Sequence, residues 1–488
     1  MKVYWLVAVP LAGALIVALL RRWRVPMVIA ALFTVLGYLR LSSALPLDQA
    51  ETFLQQQWLL DAGAQRLLIL ACWGTAILLA IAATSKRADA VHAPVLASLG
   101  LLSAAVLLRS WLLSFLILPA ALIVPVLATF PASPAAPRGA AYYLAWVTMP
   151  APFLLAIPWL LDQLAVRPQE LAVVTWSAWL VLPAWILWLN LFPFHGTTPL
   201  WAEGGPPLAP AFLWTVKDVI VIYLLLGLWR QMPALQTASV LSALRTLGLL
   251  TTLFGGIWAV IQSSVPGVLG CAAMAVLGLI VQGLASGSGG GTSAAAFLLL
   301  SRSVAVLLAS SALTALYAGS ARGPEESRRR FAWDPVRRRG RALPGTLQAA
   351  SPPQVEPLVM ARREPEAVER AGLARIPWEG LVLWLISVAG VLALLRLPMA
   401  SNPAQGSSPL AILLMQEPRL WQAWRISAIG ILVGLAHTSW RLWRNRVRSS
   451  AGRIQLVPFL LAVALFLLCL YLALSPQVVA GWVSSLML

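Results

Sequence analysis

The sequence predicts an all-α integral membrane protein of about fourteen transmembrane helices. Three observations point there. First, 60% of the 488 residues are hydrophobic, only 11% are charged, and the mean hydropathy is +0.82. A soluble domain carries about 25% charged residues, so an ordinary water-soluble enzyme is excluded. Second, the apolar residues come in runs of about 20, the length a helix needs to cross about 30 Å of hydrocarbon. The alternating segments of about ten residues that mark a β-barrel do not occur. Third, arginines gather in alternate breaks between the runs, as topology requires of cytoplasmic loops.

Taken in order, the expected spans are 3–20, 25–41, 66–84, 94–108, 111–129, 139–161, 171–192, 208–228, 238–261, 265–284, 293–315, 380–397, 425–440 and 456–474. The first ends in Arg21, Arg22 and Arg24, without a small-residue cleavage site, so it reads as a spanning helix and not as a signal peptide. The fourth and fifth are divided by little more than Arg109 and Ser110. Breaks after odd-numbered helices carry Arg21, Arg22, Arg24, Lys86, Arg87, Arg138, Arg441, Arg444, Arg446 and Arg448. Breaks after even-numbered helices are neutral or acidic, with Asp48, Glu51, Asp162 and Glu170. An even number of spans, with both termini on the non-cytoplasmic side, fits this bias. Many of the 23 tryptophans fall near expected helix ends, where an amphipathic ring prefers the headgroup level.

The expected organisation is a membrane unit over 1–318, a basic cytoplasmic loop over 319–377, and further spans over 378–488. The loop is rich in Arg, Glu, Pro and Ala, with clusters Arg328, Arg329, Arg330 and Arg337, Arg338, Arg339. Such a composition cannot bury a core. It reads as a solvated linker, or as a docking segment for an acidic soluble partner or lipid headgroups. The net charge of +18 does not imply nucleic acid, because the arginines sit between membrane spans and not on a soluble basic face. Cys72, Cys271 and Cys469 lie far apart in apolar segments, so they read as packing residues. No phosphate loop, zinc spacing or Ser-His-Asp constellation is apparent, and no cofactor or metal is expected.

Residues 190–223 carry the most specific pattern. Pro193, Phe194 and His195 are followed by Glu203 and Gly204, Pro206 and Pro207, then Tyr223. Physical chemistry explains part of it: Pro206, Pro207 and Pro210 suit the start of a helix, and His195 suits a helix C-terminus. The combination resembles the proton-translocating, antiporter-like subunits of respiratory complex I (NADH-quinone oxidoreductase) and of multisubunit cation/proton antiporters. In that family Pro-Phe-His ends the seventh helix, a short loop follows, and an acidic-Gly-Pro-x-Pro segment opens the eighth. The segments Gly255 to Gln262 and Cys271 to Gly278 match the family in frame. So do Leu60 and Asp61 before the third helix, and Ala140 to Leu144 opening the sixth. The resemblance covers about 55–315 and implies the antiporter-like fold, sibling membrane subunits as partners, and residence in a prokaryotic inner membrane.

The resemblance also implies a relay of ionisable groups, and here the sequence departs from it. No carboxylate lies between Asp89 and Asp162, so the fifth-helix Glu is missing. The place of the seventh-helix Lys holds Trp188, and the Asp-x-Lys expected before the tenth helix is Ser264, Val265 and Pro266. The eleventh helix offers Arg302. Only three lysines exist, Lys2, Lys86 and Lys217. The family's eighth-helix Lys aligns with Val219, two residues and about 200° of helix from Lys217. Asp218 lies about 100° from Lys217 on an ideal helix, so each is expected to find its partner elsewhere. The pair reads either as a remnant proton or ion site or as a structural ion pair with another subunit, Arg245 or Arg302. Candidate pathway residues are therefore Lys217, Asp218, His195, Glu203, Arg302 and His437, the last on the thirteenth helix. The functional expectation is a divergent antiporter-like subunit with a structural or coupling role. The alternative is a stand-alone transporter or a membrane enzyme acting on lipid-linked substrates.

Overall fold

The computed structural model describes residues 2–84, 86–128, 136–166, 171–204, 208–318, 378–396 and 418–446, with 460, 463–464 and 466–467 beyond them. The basic segment 319–377, most of the last expected span, and Cys469 lie outside the described residues.

The apolar runs form helices, and polar residues mark where several begin. Helix α1 spans Trp5–Leu19 and α2 spans Arg24–Ala44. A short antiparallel hairpin follows, Glu51–Phe53 with Gln56–Trp58. The Glu51 carboxylate accepts the Val3 amide at 2.7 Å, which ties the hairpin to the start of the chain. Helix α3 spans Ala62–Thr84. Its first turn is capped by Asp61, whose carboxylate accepts the Ala64 amide at 2.6 Å. Helices α4 (His92–Leu107) and α5 (Trp111–Ile123) are separate, and a bridge between Trp58 and Leu108 fixes the turn between them.

The expected sixth span is interrupted at Met149 and Pro150, giving α6 (Ala136–Thr148) and α7 (Pro150–Val166). Proline removes an amide donor and clashes with the preceding turn. The expected seventh span ends early as a helix: α8 covers Leu171–Trp188. After it, α9 (Thr197–Gly204) occupies what the sequence suggested was a short loop. Helix α10 (Leu208–Phe212) runs through a π-turn, Leu213–Lys217, into α11 (Asp218–Gln231). Next come α12 (Ala238–Val260), capped by Thr237, and α13 (Val265–Ala285), capped by Ser264 with Pro266 in its first turn. Helix α14 spans Gly289–Ala318, α15 spans Trp378–Arg396, and α16 spans Pro418–Arg446. Among the described residues nine helical segments are long and apolar enough to cross a membrane, and three shorter apolar helices accompany them.

Helix α13 is the axis of the bundle, since every residue from Val265 to Ala285 is buried. Helices α9, α12, α14, α15 and α16 pack around it. Small residues allow the close approach, as is usual between membrane helices. A Cβ added at Gly256 would collide with the Ser427 backbone, and one at Gly278 with Gly248 and Thr252. By contrast, α1 and α2 expose Leu15, Leu19, Val25, Phe33 and Leu36. An exposed face of aliphatic and aromatic side chains suits lipid. Arg24, one of the topology arginines, pairs with Asp89 at 3.1 Å and donates to the Ala83 carbonyl at 2.8 Å.

Gly256→Leu is expected to cost about 1–3 kcal/mol by overpacking the α12–α16 contact. Thermal unfolding in mild detergent would read it as a lowered midpoint. Gly37→Leu, where nothing lies within 4 Å of an added Cβ, serves as the unchanged control.

Candidate functional site

The break after α8 builds the site. Helix α8 stops at Trp188, and Asn190 turns the chain with a left-handed φ of 52°, a conformation asparagine tolerates better than most residues. The Phe192–Pro193 peptide is cis, and Phe194–Gly196 forms a 3₁₀ turn before α9. Backbone groups at such a break need partners. The Phe192 amide donates to Thr251 at 3.0 Å, and the Thr197 hydroxyl donates to the Asn190 side-chain carbonyl at 3.3 Å. The Trp188 carbonyl, at the end of α8, accepts the Lys217 ammonium at 2.7 Å.

Lys217 reaches that carbonyl from the neighbouring broken span. The π-turn Leu213–Lys217 underwinds the helix there and leaves the Trp214 carbonyl free to accept from another side chain. Arg302 of α14 fills the role. Its Nη1 donates to Trp214 O at 2.7 Å, its Nε to Ala273 O at 2.8 Å, and its Nη2 to Asp218 Oδ2 at 2.8 Å. The Lys217 ammonium lies 2.6 Å from Asp218 Oδ1, a close ion pair, though without the alignment of a hydrogen bond. Lys217, Asp218 and Arg302 are each about 1% exposed. Beside them lies a cavity of about 10 Å³, lined in part by Asn190, Thr198 and Trp214. That is room for a single water molecule.

The charges do not balance. Two cations share one carboxylate, and an arginine stays protonated in any protein environment. Among the described residues the cluster therefore carries one net positive charge, unless Lys217 releases its proton.

Three expectations need correction. Lys217 and Asp218 each have the partner expected elsewhere, the Trp188 carbonyl and Arg302, but they also pair with each other, because adjacent side chains on a distorted turn can converge where an ideal helix splays them. Arg245 is not Asp218's partner; it donates to the Ala285 and Ser286 carbonyls at 3.0 and 3.1 Å and so caps α13. His195 does not cap the seventh helix. It sits in the 3₁₀ turn, buried, stacked on Phe192 at 5.5 Å and edge-on to Trp258 at 5.1 Å. Neither of its ring nitrogens has a hydrogen-bond partner among the described residues.

The structure thus brings together three of the six candidates. Glu203 lies in α9, its side chain outside the described set, and His437 is exposed on α16. Tyr223, the last residue of the pattern, donates to Asp61 at 3.2 Å. Sequence reasoning missed Asn190, the Trp188 carbonyl and Tyr143. Tyr143 stacks on Trp201 at 4.9 Å and keeps a buried hydroxyl without a hydrogen-bond partner among the described residues.

No protein-family profile matches the chain. NADH-quinone oxidoreductase subunit N of Ectopseudomonas mendocina (strain ymp) is 33% identical over 101 residues, which is 21% of this chain and 20% of that protein. The chain thus aligns with about a fifth of the length of that curated relative. Structural likeness extends much further. A chain of the membrane-bound sulfane sulfur reductase, an archaeal respiratory membrane complex, superposes with a TM-score of 0.69 at 16% identity, covering 99% of this chain and 96% of that one. A chain of respiratory complex I from Thermus thermophilus with bound aureothin gives 0.62 at 18% identity, covering 98% of each. The fold is therefore that of a multi-pass membrane protein of the antiporter-like class. In sequence, the chain is similar to subunit N over about a fifth of its length, and in fold it is similar to chains of these respiratory membrane complexes.

Removing the carboxylate is expected to harm the fold more than removing the lysine. Asp218→Asn leaves two buried cations without a counter-charge, a loss of about 3–5 kcal/mol. Lys217→Met leaves the neutral Asp218–Arg302 pair intact and costs less. Thermal unfolding of the two variants in the same detergent would check the order, and the reverse order would refute the charge count.

Proposed function

We propose that this chain is a divergent antiporter-like subunit in the membrane arm of a complex-I-like ion-translocating assembly. It sits in a prokaryotic inner membrane beside other membrane subunits and acts in structure or coupling, with its own ion path impaired or closed. The observation that carries this reading is the buried cluster. Its one lysine is held by the Trp188 carbonyl and Asp218, and its arginine is held on three acceptors. Proton movement across a bilayer needs titratable groups joined by water or hydrogen bonds. Here the cluster adjoins room for about one water, and among the described residues His195 has aromatic rings around it and no polar contact to the cluster. The absence of a fifth-helix Glu and a seventh-helix Lys supports the same reading. The local likeness to subunit N and the fold shared with respiratory membrane complexes support the placement in a multisubunit arm.

The basic segment 319–377 is, in this reading, a docking segment for an acidic soluble partner. Its deletion is expected to leave the membrane subunits together and to release that partner.

The full chain, purified alone and sealed into liposomes with an internal pH-sensitive dye, is expected to show no cation-dependent proton flux above empty vesicles. Robust flux that Lys217→Ala abolishes would overturn the reading. Mass spectrometry of what co-purifies in mild detergent is expected to find further polytopic subunits.

A further inference from the structure

We infer that Arg302 is the positioning residue that shuts this site, acting as a fixed positive charge that pins Asp218 and repels an incoming proton. The inference rests on the reading that the chain alone does not conduct.

Arg302 comes from α14, 84 residues beyond the carboxylate it holds. All three of its nitrogens donate, to the π-turn carbonyl of Trp214, to Ala273 on α13 and to Asp218. It thereby joins the π-turn, α11, α13 and α14 at one buried point. A planar fork on three acceptors has little freedom to turn away, and its charge does not titrate. A cation placed on a narrow polar passage is a known means of excluding protons and other cations.

The charge count explains why the arginine, and not the lysine, is the barrier. A proton arriving at the cavity water meets a cluster that is already positive. Loss of the Lys217 proton to bulk water would take the cluster from one positive charge to none. Asp218 nevertheless remains committed to Arg302 and cannot swing to a new partner. Without the guanidinium, Lys217 and Asp218 form a neutral pair able to separate and re-form. The space vacated between Trp214, Ala273 and Asp218 then joins the adjacent cavity and admits water to three oxygen acceptors.

The test uses the full chain in dye-loaded liposomes under an imposed pH gradient with the membrane potential clamped. Wild type is expected at the level of empty vesicles. Arg302→Gln is expected to raise proton flux about tenfold or more above that level once the fixed barrier is gone. The double variant Arg302→Gln with Lys217→Met is expected to fall back to background, because the conducting lysine is then missing. Arg302→Lys keeps the charge but allows it to titrate, so its flux is expected to increase as pH rises. A merely structural arginine would not produce that pH profile. Circular dichroism and the unfolding midpoint establish that each variant is folded; where Arg302→Gln is not, Arg302→Lys carries the test. Background flux from folded Arg302 variants overturns the inference and leaves the proposed function standing. Flux that survives loss of Lys217 also overturns it, since that is leakage through a hole. Flux from wild type overturns the proposed function instead.

Discussion

The Asp218 carboxylate holds the centre of this bundle together. A charged side chain deep in a membrane costs at least about 2.5–3.5 kcal/mol on insertion scales, and here three meet within one buried cluster. Neither cation would be tolerable there without the anion, and the anion alone would be no better. Helix α14, the π-turn and the broken end of α8 are therefore held to one another by electrostatic necessity. Packing of small residues around α13 brings the helices close, but it has no polar preference for one register over another. The cluster supplies that preference, because sliding α14 by one turn would take Arg302 away from all three of its acceptors.

Backbone carbonyls complete the arrangement, and they exist because the helices are imperfect. An unbroken seventh span would spend the Trp188 carbonyl on its own ladder, and an unbroken eighth would do the same with Trp214. The left-handed Asn190 and the π-turn release acceptors in the interior of the bundle, and Lys217 and Arg302 take them. Non-helical backbone inside a membrane protein persists only where it is buried in protein or faces a polar cavity. Both conditions hold at this site, where buried side chains surround a space sized for about one water.

Most helices were legible from hydrophobic runs alone, because a membrane span leaves a long compositional trace. The misreadings fall where that trace is interrupted. Thr197 to Gly204 reads as a loop since it is short and only partly apolar, yet Thr197 and Thr198 before Pro199 are a plausible helix start that could have revealed α9. The pairing of Lys217 with Asp218 is hidden in the sequence, because about 100° per residue separates neighbours on an ideal helix and no residue type marks a π-turn. Arg302 stood among the possible partners of Asp218, but nothing local could choose it over Arg245 across 84 residues of chain. That choice belongs to tertiary packing: α13 and α14 carry Arg302 inward, while Arg245 is left at the end of α13 with carbonyls to cap.

The buried cluster sets an arginine beside its lysine, and that choice is informative. Lysine and arginine both neutralise a buried carboxylate, and the guanidinium fork also reaches Trp214, Ala273 and Asp218 at once. They differ in whether the charge can leave. Lysine gives up its proton when the surroundings demand it, and arginine does not. A site that must pass protons benefits from the first property. A site that must keep its charge while neighbouring subunits change theirs benefits from the second. Here three acceptors surround one guanidinium, so the charge facing Asp218 from α14 is the one that stays, and the neighbouring lysine carries the one that can leave.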